Sequence, residues 1–190
     1  QFSDSEFIFL AATHPLLQQD LVKQLTSPKL IVADTRDMWI ENDREELVKT
    51  LGMVNGAILN DFEARLLTGI NNLVLAGQRI IEWGPVFVVI KKGEHGSMLV
   101  TKYDTAALPA FPTTEVKDPT GAGDSFAGGM MGYLATQSGF DFKILKYSLA
   151  VGTITASFTI EDFSLRRIRD ITMQDIDQRL KEYSKMLNIY

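Results

Sequence analysis

The chain has no cysteine and only two histidines among its 190 residues. That excludes disulfides, thiolate metal sites and cysteine nucleophiles, and it leaves a histidine-rich metal centre without ligands. The absence of cysteine fits a reducing cytoplasm. No apolar run approaches the roughly 20 residues that a membrane-spanning helix needs. Asp4 and Glu6 interrupt the opening segment, so it lacks a signal-peptide pattern. Basic side chains are outnumbered, 19 against 24 acidic ones, for a formal charge of -5. A mildly acidic surface gains no electrostatic help toward nucleic acid, and no run of Lys and Arg supplies a local patch. The nearest approach, Arg166-Arg167-Ile168-Arg169, is flanked by Glu161, Asp162 and Asp170 and reads as a solvated helix start or turn. Nucleic-acid and membrane partners are therefore not expected.

What the chain does have is an ordinary globular composition, 45% hydrophobic and 23% charged, with enough apolar residues for a sizeable core. Short buried strands are expected at Glu6–Ala12, Leu30–Ala33, Gly56–Leu59 and Pro85–Ile90. Helical spacing follows Pro15, continues over Arg44–Leu51, and resumes after Asn60 and from Asn71 to about Trp83. A hairpin-like stretch covers Ser97–Thr101 and Ala106–Phe111, around a turn at Lys102–Asp104. Helices then fill Gly121–Gln137, Phe142–Phe158 and Met173–Leu187. Alternating strands and helices predict an α/β fold, a three-layer αβα sandwich around a mostly parallel, doubly wound sheet. No repeat, linker or low-complexity segment divides it, so residues 1–190 read as a single domain.

The chemistry concentrates in Asp118-Pro119-Thr120-Gly121-Ala122-Gly123-Asp124-Ser125-Phe126-Ala127-Gly128-Gly129. Small residues lie where a loop enters a helix, whose N-terminus carries unpaired amides and a partial positive charge. Gly121, Ala122 and Gly123 can form an anion hole that a phosphate approaches closely. Asp124 is odd in such a place, because a carboxylate competes with phosphate for the same amides. It makes sense beside phosphate if it takes a proton from an attacking hydroxyl. On these letters alone a second reading stands equally: the segment merely caps a helix. A P-loop is absent, and Gly121-x-Gly123 with Phe126 in the third position fails the dinucleotide fingerprint.

The segment resembles the C-terminal signature of the ribokinase-like (PfkB) carbohydrate kinases. The match runs nearly unbroken from Asp118 to Gly129. The resemblance implies that Asp124 is the catalytic base and that the Gly121, Ala122 and Gly123 amides form the anion hole. It places Thr120 in the same loop and Asp118 beside a monovalent-cation site, with potassium as the ion. Further similar elements lie upstream. Asn60-Asp61-Phe62-Glu63 resembles the family's Asn-x-x-Glu, implying that Asn60 and Glu63 hold magnesium largely through water. Spacing alone favours a capping box, with Asn60 as the cap and Glu63 returning its hydrogen bond. Lys91-Lys92-Gly93-Glu94-His95-Gly96 resembles a strand-end turn, with Lys91 and Gly93 toward the nucleotide phosphates. His95 reads as an exposed turn residue. Ala150–Phe158 is similar to a helix passing the adenine, though small residues also serve close helix packing. Asp34-Thr35-Arg36-Asp37-Met38-Trp39 also looks like a family loop. There Arg36 suits either a phosphate or a surface ion pair, and Trp39 suits packing.

The resemblance covers the chain, but relatives extend further at the N-terminus, where a glycine-rich motif, a small lid sheet and most sugar contacts lie. The expectation is a C-terminal fragment, with the N-terminal part and lid absent. The implied activity is ATP- and magnesium-dependent phosphorylation of a hydroxyl on a sugar or sugar-like molecule, in the cytoplasm, with a homodimer formed through the lid. The alternatives are a non-catalytic nucleotide-binding domain, or a nucleoside or vitamin-precursor kinase on the same fold.

Overall fold

Each short β-branched and aliphatic run becomes a buried strand, because only a sheet covered on both faces can use residues that are apolar at every position. The computed structural model describes residues 2–188. It divides into two compact units: one runs to Gly93 and resumes over Ser97–Ala107, and the other holds Glu94–Gly96 and the chain from Leu108 onward.

In the first unit, which takes β6 as far as Ala107, β1 (Phe7–Leu10), β2 (Leu30–Asp34), β3 (Gly56–Asn60), β4 (Phe87–Lys91), β5 (Ser97–Thr101) and β6 (Thr105–Leu108) lie in that order across one sheet. Neighbours from β1 to β4 run parallel, and β5 runs antiparallel to β4. The intervening helices are α1 (Pro15–Lys23), α2 (Asp37–Asn42), α3 (Arg44–Leu51), α4 (Asp61–Thr68) and α5 (Leu73–Ile81). Strands that advance one way across a sheet send their right-handed crossovers to one face. The packing agrees. Ile8, Leu10, Ile31 and Ala33 pack with Val22 of α1 and Leu25. Ala57, Leu59, Val88 and Ile90, on the same face by register, pack with residues of α2 to α5 such as Ile40, Leu47, Leu67 and Ile80. Full burial of such side chains stabilises by about 1.5–3 kcal/mol each. The alternate residues Leu30, Val32, Ile58, Phe87 and Val89 are buried as well.

The second unit is helical: α6 (Ala122–Leu134), α7 (Phe142–Thr159), α8 (Arg166–Asp170) and α9 (Met173–Leu187). Asp141 caps α7 by accepting from Ile144 N–H, and Thr172 and Asp175 cap α9 reciprocally. Tyr183 of α9 is buried and donates its hydroxyl to the Pro109 carbonyl at 2.5 Å. Burial pushes that hydroxyl's pKa up to about 12. Among the described residues, no helix is long and apolar enough to cross a membrane.

Several strands and helices are shorter or shifted at their ends, and α2, β6 and α5 differ in ways with a physical reason. α2 was not expected; it is six residues long and buries only Ile40, too little for periodicity to show. β6 stops at Leu108 rather than Phe111, because Pro109 has no N–H to donate to a ladder. α5 is capped by Asn72, whose side chain accepts from Val74 and Leu75, not by Asn71. The Arg166–Arg169 run is α8, with Arg167 paired to Glu161 and Arg169 to Asp170 as the flanking acids suggested.

Gly56 and Phe87 are direct partners across β3 and β4. A Cβ on Gly56 would fall 2.2 Å from Phe87 Cζ, inside a fully buried ring. Gly56→Ala is therefore expected to destabilise the protein by about 1–3 kcal/mol in urea unfolding, the usual cost of overpacking. Adding Phe87→Leu should recover part of that loss, since the two sites are in contact.

Candidate active site

A parallel strand ends where its crossover begins, so polar residues at the ends of β2, β3 and β4 gather at one edge of the sheet. Asp34 pairs in register with Ile58, and Asn60 with Lys91. Side chains alternate along a strand, so Asp34, Asn60 and Lys91 share the face opposite the one that α1 to α5 cover. Lys91 Nζ lies 3.0 Å from Asp34 Oδ2, with the side chains 19% and 6% exposed. Asp34 Oδ1 accepts from the Thr35 amide at 2.8 Å. Behind it, the buried Gln18 Nε2 donates to the carbonyls of Leu10, Ala11 and Asp34, tying the ends of β1 and β2 together.

Asn60 closes β3 and opens α4. Its Oδ1 accepts from Glu63 N–H at 2.8 Å, and Glu63 Oε2 accepts from Asn60 N–H at 2.7 Å. The capping box is formed in both directions. Burial raises the Glu63 carboxyl above the ordinary glutamate value, the Asn60 amide opposes that rise, and the charge of Asp34 adds to it while that of Lys91 offsets it. Each bonded oxygen keeps a second lone pair, so Asn60 and Glu63 fit a hydrated divalent ion better than direct ligation. Among the described residues no group of three or more His, Asp or Glu side chains is arranged to cage a metal.

The turn after β4 uses glycine at both places where the chain reverses: Gly93 has φ 56° and Gly96 φ 83°. The second has no alternative, since a Cβ there would lie 2.0 Å from the Leu108 carbonyl oxygen. His95 between them is exposed, as expected of a turn residue. Arg36 is exposed at the N-cap of α2. Trp39 packs edge-on against His14 with ring centroids 4.8 Å apart, the packing role read from the sequence.

In the second unit, the Asp118–Asp124 loop is anchored at both ends. Lys117 and Asp118 N–H groups donate to the Ile160 carbonyl that closes α7. Asp118 Oδ1 accepts from the Thr120 amide at 2.9 Å. That bond first, then the Thr120 hydroxyl and the Ser164 amide, hold the Asp118 carboxyl below the usual aspartate range. Gly121 takes φ 81° and is the N-cap of α6, which has no side-chain cap. Its left-handed backbone turns the chain into the helix at no steric cost. The first-turn amides of α6 have no carbonyl one turn earlier in the helix. Ala122 N–H is turned back to Pro119 O at 3.1 Å, so the loop itself uses one of the three amides assigned to the anion hole. Asp124 stands exposed in that first turn.

The small residues of α7 serve its contact with α6. A Cβ on Gly152 would fall 2.7 Å from Phe126 O, and one on Gly129 would fall 2.3 Å from Thr155 Oγ1. Close helix packing, one of the two roles open from the sequence, is thus seen directly.

The structure therefore joins Asn60, Glu63 and Lys91 in one unit and arrays Asp118, Thr120, Gly121, Ala122, Gly123 and Asp124 along one loop of the other. Asp34 was noted only as part of a similar loop. Its partner stands 57 residues away in sequence, and no local spacing reports such a pair.

Residues 21–170 match the model of the pfkB family of carbohydrate kinases. The chain belongs to the PfkB family. It is 30% identical over 136 residues to a cytidine kinase of Thermococcus kodakarensis, covering 69% of this chain and 48% of that protein. The crystal structure of the Methanocaldococcus jannaschii nucleoside kinase, an archaeal member of the ribokinase family, matches with a TM-score of 0.77 at 23% identity, over 94% of this chain and 56% of that one. A fructokinase of Vibrio cholerae, solved with fructose, ADP and calcium ion, matches with a TM-score of 0.77 at 16% identity, over 96% of this chain and 62% of that one. The fold is thus the ribokinase-like α/β fold: the strand and helix pattern predicted its mostly parallel sheet, and the resemblance of the Asp118–Gly129 segment implied the family. The chain spans about half the length of the curated relatives it matches.

A pH experiment follows from Glu63. A carboxyl whose folded-state pKa is raised binds more protons folded than unfolded, so its contribution to stability falls as pH rises through the raised value. Glu63→Gln keeps the capping geometry and removes the titration. In metal-free buffer, the urea midpoint of the variant should gain on that of the wild type as pH rises upward from the ordinary value of 4.5. A constant difference across that window would contradict the burial of an ionisable Glu63.

Proposed function

We propose that the protein transfers the γ-phosphoryl group of ATP to a hydroxyl on a sugar or on the sugar of a nucleoside. The observation that carries this reading is the start of α6: a left-handed Gly121, no side-chain cap, and a carboxylate, Asp124, exposed in the first turn. A loop built only to cap a helix would place an acceptor on the amides, as Asp141 and Thr172 do on α7 and α9. Here no side chain caps the first turn, only Ala122 N–H turns back to the loop, and the acid stands beside these amides.

In this reading Asp124 accepts the proton of the attacking hydroxyl. The Gly121 and Gly123 amides and the N-terminal dipole of α6 stabilise charge on the transferring group, while Ala122 N–H holds the loop in shape. Lys91 and Gly93 are assigned to the nucleotide phosphates in the first unit, and Thr120 to the anion-binding loop of the second. Bound magnesium would neutralise charge on the phosphates. Asn60 and Glu63 would orient its water shell. A potassium ion near Asp118 completes the assignment. The similarity to the cytidine kinase supports a nucleoside as the acceptor within this class.

The test is turnover of Asp124→Asn, with ADP release followed over a panel of nucleosides and sugars. The variant should bind magnesium-ATP as the wild type does and lose roughly 10²–10⁴ in kcat, the usual share of a general base. Unchanged kcat would remove Asp124 from the chemistry. A wild type that binds ATP but phosphorylates no acceptor would favour a nucleotide-binding domain.

A further inference from the structure

Asp34 and Lys91 stand on β2 and β4, which are not neighbours; β3 lies between them. Second-neighbour strands are about 9–10 Å apart. The 3.0 Å contact of Lys91 Nζ with Asp34 Oδ2 therefore carries the lysine across the C-terminal end of β3. That end is Asn60, whose amide holds Glu63. The ammonium thus lies over the same strand end that the kinase reading gives to the hydrated divalent ion. The Lys91 ammonium occupies the field of two buried carboxylates, Asp34 and Glu63. Lysine suits the task, being a compact charge on a flexible stem that can change partners.

We propose that Lys91 is the resident counter-ion of this strand end. In the empty site its ammonium fills the place of the metal charge and weakens binding of a free divalent cation. When a metal-nucleotide complex arrives, the polyphosphate adds negative charge, and the same ammonium strengthens binding. The consequence is an order of loading: metal enters as its nucleotide complex rather than alone. The proposal rests on the kinase reading both for the divalent site at Asn60 and Glu63 and for the nucleotide.

The experiment compares wild type with Lys91→Gln and Lys91→Arg. Free Mn2+ is titrated alone by electron paramagnetic resonance, and magnesium-ATP by calorimetry. Glutamine leaves Asp34 a hydrogen-bond donor and removes the charge. Lys91→Gln should bind Mn2+ about tenfold more tightly and magnesium-ATP about tenfold more weakly, as removal of one nearby charge predicts. Lys91→Arg should resemble wild type in both. If Lys91→Gln does not fold, the double variant Asp34→Asn/Lys91→Gln removes both charges together, and Mn2+ affinity near that of wild type supports the proposal. Mn2+ binding that is equal or weaker in folded Lys91→Gln, or absent from both proteins, overturns it. So does an equal loss for metal and nucleotide, the signature of a merely structural pair. A wild type that binds no magnesium-ATP would overturn the kinase reading and the nucleotide half, while the Mn2+ titration still decides the counter-ion half.

Discussion

A parallel sheet cannot be closed by tight turns; every strand must return through a crossover and leave its own C-terminal end open. That constraint gives this chain its functional edge. Because β1 to β4 follow one another in order, α1 to α5 take one face, and the residues that finish β2, β3 and β4 meet at one rim. Asp34, Asn60 and Lys91 are each the last residue of their strand. Nothing in their local sequence brings them together. Strand length and register do it.

The same edge must also be paid for in charge. Asp34 is almost wholly buried, and a buried carboxylate without a partner is strongly destabilising. Lys91 answers that need from two strands away, and Gln18 fixes the backbone beneath. Glu63 is handled differently. Its bond to the Asn60 amide is local, part of a capping box that any helix could carry. If the proposed function holds, stability and chemistry use the same atoms here. The capping box aims two oxygens at the rim, and the ion pair fixes the field in which they act.

Local features were legible in the sequence, and distant ones were not. The Asn60 and Glu63 spacing announced reciprocal capping, and both bonds are present. The glycines of the turn after β4 announced a reversal, and both take positive φ. Most strands and helices were visible because their apolar periods are long enough to count. α2 was not, since one buried residue makes no period. The role of Gly152 was open in the sequence, because a small residue admits a base or a neighbouring helix equally well, and only the position of Phe126 O shows the second. The Asp34 to Lys91 pair was out of reach for a different reason: it depends on two registers, Asp34 with Ile58 and Asn60 with Lys91.

The start of α6 shows why the signature segment needs its particular residues. The chain must enter the helix from a turn that Asp118 and Ile160 hold in place. A residue with a Cβ would resist φ 81° at position 121. A capping side chain there would also take the amides that the phosphate reading requires. Glycine meets both demands, since it permits the turn and brings no acceptor. The carboxylate then has to come from inside the first turn, and Asp124 is where it stands. Placed at the cap itself, the same acid would be bonded to the helix, as Asp141 is to the Ile144 amide, with that oxygen already engaged. In the proposed reading, it is the displacement of the acid from cap to first turn that separates a helix cap from a catalytic loop.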